Sequence, residues 1–260
     1  KPRGSPLHVV ESPFVIREGK GIVFIDILVF ETSTFAKSGV LKIGLGEIGL
    51  DSVPRGWTIL VSYPPDARIG LISKNITAAI LLNKAKTLFI SYKYRREDYK
   101  YVFQRVVDAL GLPRDTVEDL VNKYIIYYSI DPLKYSATEI AMIECELIEE
   151  LNPDIVVFHG ISTFMHTADI KDYYRELVNQ LRYLRTKGIV TFRVIAEESR
   201  KFYLLNSALS DIVLRFYYDN TGRLNLNVWR RDGVPMTFGS DVISKLDTKL
   251  LELLKSLTGK

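Results

Sequence analysis

Two kinds of apolar run alternate along most of this chain, and that alternation limits its fold more than any other feature. Short runs rich in β-branched and aromatic residues occur at 57–62 (WTILVS), 87–91 (TLFIS), 124–128 (YIIYY), 154–158 (DIVVF) and 189–196. They read as strands. Longer runs with helical spacing lie between them, at 71–82, 97–110, 136–151 and 170–186, and a last one spans 242–257. In the second of these, Val102, Phe103, Val106, Val107 and Leu110 share a face, and Gly111 and Pro113 give a stop signal. Ser136 is placed to cap the third helix, with Glu139 at capping-box spacing and Asn152-Pro153 beyond its end. Unbroken apolar strands alternating with helices imply a parallel sheet covered on both faces. Segments 211–218 and 223–229 flank Asp219-Asn220-Thr221-Gly222, a turn sequence, and predict an antiparallel hairpin at one edge. The expected fold is therefore α/β: a mostly parallel, twisted sheet with helices on both faces and an antiparallel edge hairpin.

Residues 1–37 read differently. They hold short strand-like runs at 14–16 and 21–28 and no helical pattern, so they are expected to form an N-terminal extension or linker. The core, with its C-terminal helix, is expected over 38–260. Lys1-Pro2-Arg3-Gly4-Ser5-Pro6 faintly echoes Arg230-Arg231-Asp232-Gly233-Val234-Pro235. That echo suggests that residue 1 is the end of a preceding copy of the same domain.

Composition narrows the function. At 47% hydrophobic and 25% charged, the 260 residues can build a sizeable core. A net charge of +4 permits nucleic-acid binding without arguing for it. A single cysteine, Cys145, excludes an intrachain disulfide and reads as a buried helix residue. His8, His159 and His166 are too scattered for a metal set, even with Asp154 and Asp169 as further ligands. No metal and no cofactor is expected. No apolar stretch is long enough to span a membrane and no signal peptide is visible, so a cytoplasmic protein is expected. Two glutamines among many Tyr, Lys, Arg and Glu match the drift of thermophile, archaeal-like proteins.

The segment Leu50-Asp51-Ser52-Val53-Pro54-Arg55-Gly56, the strand after it and Pro64-Pro65 together resemble the approach to the P-loop in KaiC-like members of the RecA superfamily. Asn152-Pro153-Asp154-Ile155-Val156-Val157-Phe158 resembles the strand that carries the Walker B acid there. The edge hairpin with Arg230-Arg231-Asp232-Gly233 resembles that family's C-terminal end, and the first residues resemble a linker between two such domains. The resemblance implies a RecA-like fold and a nucleotide site at the ends of the strands.

Along that site the residues depart from the pattern. A P-loop needs glycines that let backbone N–H groups close on phosphates, a lysine for the β/γ-phosphates and a hydroxyl for Mg²⁺. Here the loop reads Tyr63-Pro64-Pro65-Asp66-Ala67-Arg68-Ile69-Gly70. Tyr63, Asp66 and Arg68 stand at glycine positions, Ile69 at the lysine position and Gly70 at the hydroxyl position. Asp66 sets a negative charge near a phosphate, which costs on the order of 4 kcal/mol at about 4 Å and an effective dielectric near 20. His159-Gly160 follows the fourth strand where the resemblance implies a carboxylate. Tyr92-Lys93-Tyr94-Arg95-Arg96 follows the second strand where it implies a catalytic glutamate. No catalytic residue is expected.

The expectation is a catalytically inactive, pseudo-ATPase domain of RecA/KaiC type that acts through protein partners or a homo-oligomer. Arg230 and Arg231, like Lys1 and Arg3, are then candidate interface residues, and Arg95 and Arg96 candidate anion contacts. Two rival readings stay open. In one, the basic, tyrosine-rich run 92–101 binds single-stranded nucleic acid by stacking and phosphate contacts, as in a recombination-type paralog. In the other, Arg68 and backbone amides keep weak nucleotide binding without hydrolysis, as a sensor, at a strand edge that also gathers Tyr63, Asp66, Lys93, Tyr94, Arg95, Arg96, His159, Glu197 and Glu198.

Overall fold

The strands and α-helices of the described residues are taken in chain order. The strands are β1 (Phe14–Arg17), β2 (Gly21–Phe24), β3 (Val40–Leu45), β4 (Leu50–Pro54), β5 (Thr58–Tyr63), β6 (Thr87–Ser91), β7 (Ile125–Ser129), β8 (Ile155–His159), β9 (Val190–Ala196), β10 (Ile212–Tyr218), β11 (Leu224–Arg230) and β12 (Met236–Phe238). The helices are α1 (Gly70–Asn83), α2 (Ala137–Leu151), α3 (Ile170–Thr186), α4 (Arg200–Ala208) and α5 (Ser240–Leu257). The structure, a computed structural model, describes residues 14–17, 21–24, 37–67, 70–93, 119, 122–166 and 169–258. The helix expected at 97–110 and the residues Lys1, Arg3, Arg68, Ile69, Arg95 and Arg96 lie outside them.

One sheet of eight strands runs β12-β11-β10-β5-β9-β8-β6-β7. From β10 to β7 all neighbours are parallel. β11 and β12 are antiparallel additions at the β10 edge. The apolar strand runs sit in the middle of this sheet: β6 and β9 are buried at every position. β1 pairs with β2 as a separate antiparallel ribbon. The expected α/β architecture with its edge hairpin is thus present. The turn at 219–222 is tied by Asp219 Oδ1, which accepts from the amides of Thr221 and Arg223 at 2.8 and 3.0 Å.

The two faces of the sheet carry different layers. On the first, Ile59, Val61, Val157, Phe192 and Leu214 pack with α1, α5 and the β3–β4 ribbon. Because α1 is covered by α5 and β3 as well as by the sheet, its sequence is apolar nearly all round. Even its polar members are tied down: Asn75 Nδ2 donates to the Ile43 carbonyl at 2.6 Å, and Lys74 meets Asp247 at 2.6 Å. On the second face, Leu60, Leu88, Val156, Phe158 and Ile195 pack with α2, α3 and α4.

The expected capping box is present. Ser136 Oγ accepts from the Glu139 amide, and the Glu139 carboxylate accepts from the Ser136 amide at 2.7 Å. Gly188 follows α3 with φ of +67°, and a Cβ there would lie 2.0 Å from the Lys37 carbonyl oxygen. Only glycine fits that close approach. At the N-terminal end of the strands, Asp154 is clamped by Lys37 at 3.2 Å and Arg55 at 3.1 Å. Burial pushes its pKa up, but those cations and the Lys86 amide outweigh burial and hold it below the ordinary value. Cys145 is half-buried rather than buried, beside the second-face core. Its thiol is pushed up to about 12 by desolvation and by neighbouring carboxylates, Glu144 first.

Candidate functional site

The connections of the sheet create a crevice. β5 leads to α1 on the first face, whereas its neighbour β9 leads to α4 on the second. In open α/β sheets, ligands bind at such a switch point, beyond the C-terminal ends of the strands. Tyr63, Pro64, Pro65 and Asp66 form one wall. The other begins at Glu197, whose amide donates to the Tyr63 carbonyl at 2.8 Å.

The wall after β5 is a tight turn. The Ala67 amide donates to the Pro64 carbonyl at 2.9 Å, closing a four-residue turn with Pro65 at its second position. Pro64 and Pro65 have no N–H. The Ala67 N–H is spent inside the turn, and Ala67 itself is buried. Of residues 64–67, only Asp66 keeps an amide without a partner among the described residues, and Asp66 carries an exposed carboxylate beside it. Gly70 begins α1 just beyond.

Opposite this turn sits a cluster that the sequence reading reached only in part, through Glu197. Ser62 Oγ donates to Glu197 Oε2 at 3.1 Å. Arg215, from β10, grips the same carboxylate with two bonds: Nε to Oε2 at 2.8 Å and Nη2 to Oε1 at 2.5 Å. Its guanidinium also lies 4.7 Å from the centre of the Tyr203 ring, on α4. Bidentate pairing of this kind is strong and directional. The Glu197 bond raises the Arg215 pKa further above its ordinary value, against a smaller opposing effect of burial. The signal for Arg215 was available: it is the one charged residue in the run IVLRFYY. Ser62 gave none, since a serine near a strand end is commonplace.

Further along the same edge, His159 and Lys93 meet. The Tyr92 amide donates to the His159 carbonyl at 2.9 Å, and His159 Nδ1 lies 3.5 Å from Ser91 Oγ. Gly160 takes φ of +76°, and a Cβ there would come within 2.7 Å of Lys93 Cβ. Desolvation, helped by the Lys93 charge, pushes the imidazole pKa down to about 4, so His159 is neutral at neutral pH. Among the described residues no three His, Cys, Asp or Glu side chains converge as a metal site.

Other candidates lie elsewhere. Arg230 ends the antiparallel β11 and Arg231 follows it, at the opposite end of the sheet from the crevice. Arg230 bonds Asp232 at 3.0 Å and the Gly49 carbonyl at 3.2 Å. Arg231 lies 3.4 Å from Asp211, a buried carboxylate that Arg185 already holds at 2.8 Å. Tyr92 is buried, with its hydroxyl donating to Glu144, so it offers no face for a base to stack on. The rest of the run 92–101, apart from the exposed Lys93, lies outside the described residues.

Among the described residues no helix is long and apolar enough to cross a membrane. No known family model matches the chain, and no curated protein matches it in sequence.

Proposed function

We propose that this is a non-catalytic domain of RecA/KaiC type, one that keeps the architecture of a nucleotide-binding sheet and works through protein partners. The observation that carries this reading is the turn after β5. Phosphate binding at such a loop depends on several backbone N–H groups pointing inward. Here two of four positions are prolines, a third amide is bonded within the turn, and the fourth sits on an aspartate.

Three further features support it. The strand expected to end in an acid ends in the neutral His159. Arg215, a described cation beside the crevice, is already held by Glu197. The antiparallel edge hairpin and the parallel sheet agree with the architecture that the resemblance implies. Among the described residues the crevice shows no amide cradle at 64–67 and no acid directly after β8, two usual means of stabilising phosphoryl transfer.

Calorimetric titration of the purified chain with ATP and Mg²⁺ tests this. The expected result is no saturable heat at millimolar ATP, a binding free energy weaker than about 4 kcal/mol. Micromolar binding would sink the proposal and favour the nucleotide-sensing reading.

A further inference from the structure

The N-terminal ends of the parallel strands gather cations around two carboxylates. Asp211 precedes β10 and its side chain is 2% exposed, yet two arginines share it, Arg185 at 2.8 Å and Arg231 at 3.4 Å. Asp154 precedes β8 and is shared by Lys37 at 3.2 Å and Arg55 at 3.1 Å. Each set keeps one positive charge beyond neutrality. Around Asp211 that charge faces solvent, since the side chains of Arg185 and Arg231 are 46% and 65% exposed. Lys84 follows α1 and Lys86 precedes β6. Both are exposed, and neither bonds its side chain to another described residue.

These groups form one row. The Lys86 amide donates to Asp154 Oδ2 at 3.2 Å. Asp154 leads through Arg55 to Gly56, where a Cβ would lie 2.9 Å from the Arg185 carbonyl oxygen. Arg185 leads through Asp211 to Arg231. The row crosses the starts of β6, β8, β9, β5 and β10, which are successive neighbours in the sheet, so it spans about 19 Å at roughly 4.8 Å per strand. Glu149 and Lys187, also at this end of the sheet, pair at 2.9 Å and add no net charge. Glu150 is exposed in the last turn of α2, so the six cations of the row face three carboxylates.

A row of fixed, partly exposed cations suits a partner that presents negative charge at close intervals along a line. Protein surfaces intersperse acids with bases. A nucleic-acid duplex instead carries one phosphate charge per about 1.7 Å of its axis, so several phosphates fall within the length of the row. The row holds no aromatic side chain on which an unpaired base could stack, and this favours a duplex over a single strand. Guanidinium groups anchored on a buried carboxylate are already ordered, which lowers the cost of engaging a phosphate. We propose that this end of the sheet binds the phosphate backbone of a nucleic-acid duplex without reading its bases. The surface lies at the opposite end of the strands from the crevice. It rests neither on the crevice being empty nor on the protein partners proposed above, so the ATP titration and the following experiment can fail separately.

The test is fluorescence anisotropy on the full chain, with a labelled duplex of about 20 base pairs, its single strand and a poly-glutamate peptide as probes. The duplex is expected to bind, and to weaken about 30-fold between about 50 and 200 mM salt, the slope of roughly three neutralised phosphates. Lys84→Glu combined with Lys86→Glu is expected to weaken binding by about tenfold or more. Arg231→Gln should reduce the salt slope by about 1 and leave the thermal midpoint in place, because Arg185 still holds Asp211. Lys171→Glu, at the start of α3 and the other end of the sheet, should bind as the parent does. The four substituted side chains are exposed, and circular dichroism checks that each variant folds. No duplex binding at about 100 µM protein, parental binding by the double variant, or an equal loss in Lys171→Glu would overturn the proposal. So would stronger binding of the single strand, which would move the contact to the tyrosine-rich run 92–101. Stronger binding of poly-glutamate would overturn it too, and make this end of the sheet a docking surface for an acidic protein.

Discussion

The two layers that flank the sheet are built on different physics. The first, between the sheet and α1, α5 and the β3–β4 ribbon, is a continuous apolar core. The second, under α2, α3 and α4, encloses a polar network. Arg193 projects from the centre of β9 and is 3% exposed. Its guanidinium donates to Gln180 Oε1 at 3.0 Å, the Tyr173 hydroxyl at 2.8 Å and Asn206 Oδ1 at 3.2 Å, and lies 5.4 Å from the centre of the Phe158 ring. Glu144, from α2, is also buried and accepts from Tyr92 and Gln180. Beside them is a cavity of about 30 Å³, room for a water molecule. An apolar layer tolerates small slips of its helices, because dispersion and burial are nearly non-directional. A network in which each donor has one acceptor fixes how α2, α3 and α4 sit. The first layer should therefore lose stability smoothly on mutation, and the second abruptly and with a dependence on pH.

The largest effect is expected from Arg193→Ala. It removes a buried charge and leaves Gln180, Tyr173 and Asn206 without their shared donor. The expected loss is about 4 kcal/mol by chemical denaturation. Arg193→Lys should recover little, because one ammonium does not reproduce a planar fork with several acceptors. A loss under about 1 kcal/mol would mean that the network adds little and that the two layers are alike. Next comes Leu250→Ala on α5, fully buried in the apolar layer. The expected loss is about 3 kcal/mol, from transfer plus the cavity left behind. It should be equal at pH 5 and pH 8, because Leu250 packs within an apolar cluster. A pH-dependent loss would break the contrast.

How much of this was written legibly in the chain follows from the same contrast. The layers and the parallel strands rest on unbroken apolar runs, and those were visible. So were the capping box at Ser136 and the hairpin turn at Asp219. α4 was not, because in RKFYLLNSA only Phe202 and Asn206 are buried and one of these is polar. β3 and β4 were missed too, although Leu41, Ile43 and Leu45 alternate with exposed or half-buried neighbours, because glycines interrupt the pattern. β12 is three residues long, too short for periodicity to register. Within the network, Arg193 could have been noticed as a lone cation in VTFRVIA. Glu144 could not, since Glu146, Glu149 and Glu150 on the same helix look alike, and only the helix's rotation against α3 singles it out. The crevice residues Tyr63, Asp66, Lys93 and His159 fall along one strand edge as expected. The Glu197–Arg215 pair depends on β10 lying beside β5, a long-range neighbour relation that no local pattern carries.

Glu144 gives the smallest but most specific test of the contrast. Desolvation pushes its carboxyl up to about 7 from an ordinary 4.5, although Tyr92, Arg193 and Gln180 each pull it down. The hydroxyl of Tyr173 and the thiol of Cys145 lie in the same layer and are pushed upward themselves, so neither ionises in this range. Between those two values the folded chain keeps a proton that the unfolded chain releases. The Glu144 contribution to stability is then greatest below pH 4.5, falls as pH rises through the window and levels off above 7, while His159, held at about 4 instead of 6.5, contributes a rise between those two values. One pKa unit is worth about 1.4 kcal/mol, so a fall of roughly 2 to 3 kcal/mol in the Glu144 contribution is expected. Glu144→Gln keeps the shape and the hydrogen-bonding atoms but cannot ionise. Denaturation free energies followed from pH 4.5 to 8 should gain on the parent in that variant as pH rises, while Leu250→Ala keeps the parental slope. If Glu144→Gln retains the slope as well, the pH dependence belongs to another carboxylate. The buried network would then hold Glu144 as an anion paired through Gln180 with Arg193, and the second layer would be an ion pair rather than a neutral acid beside a cation.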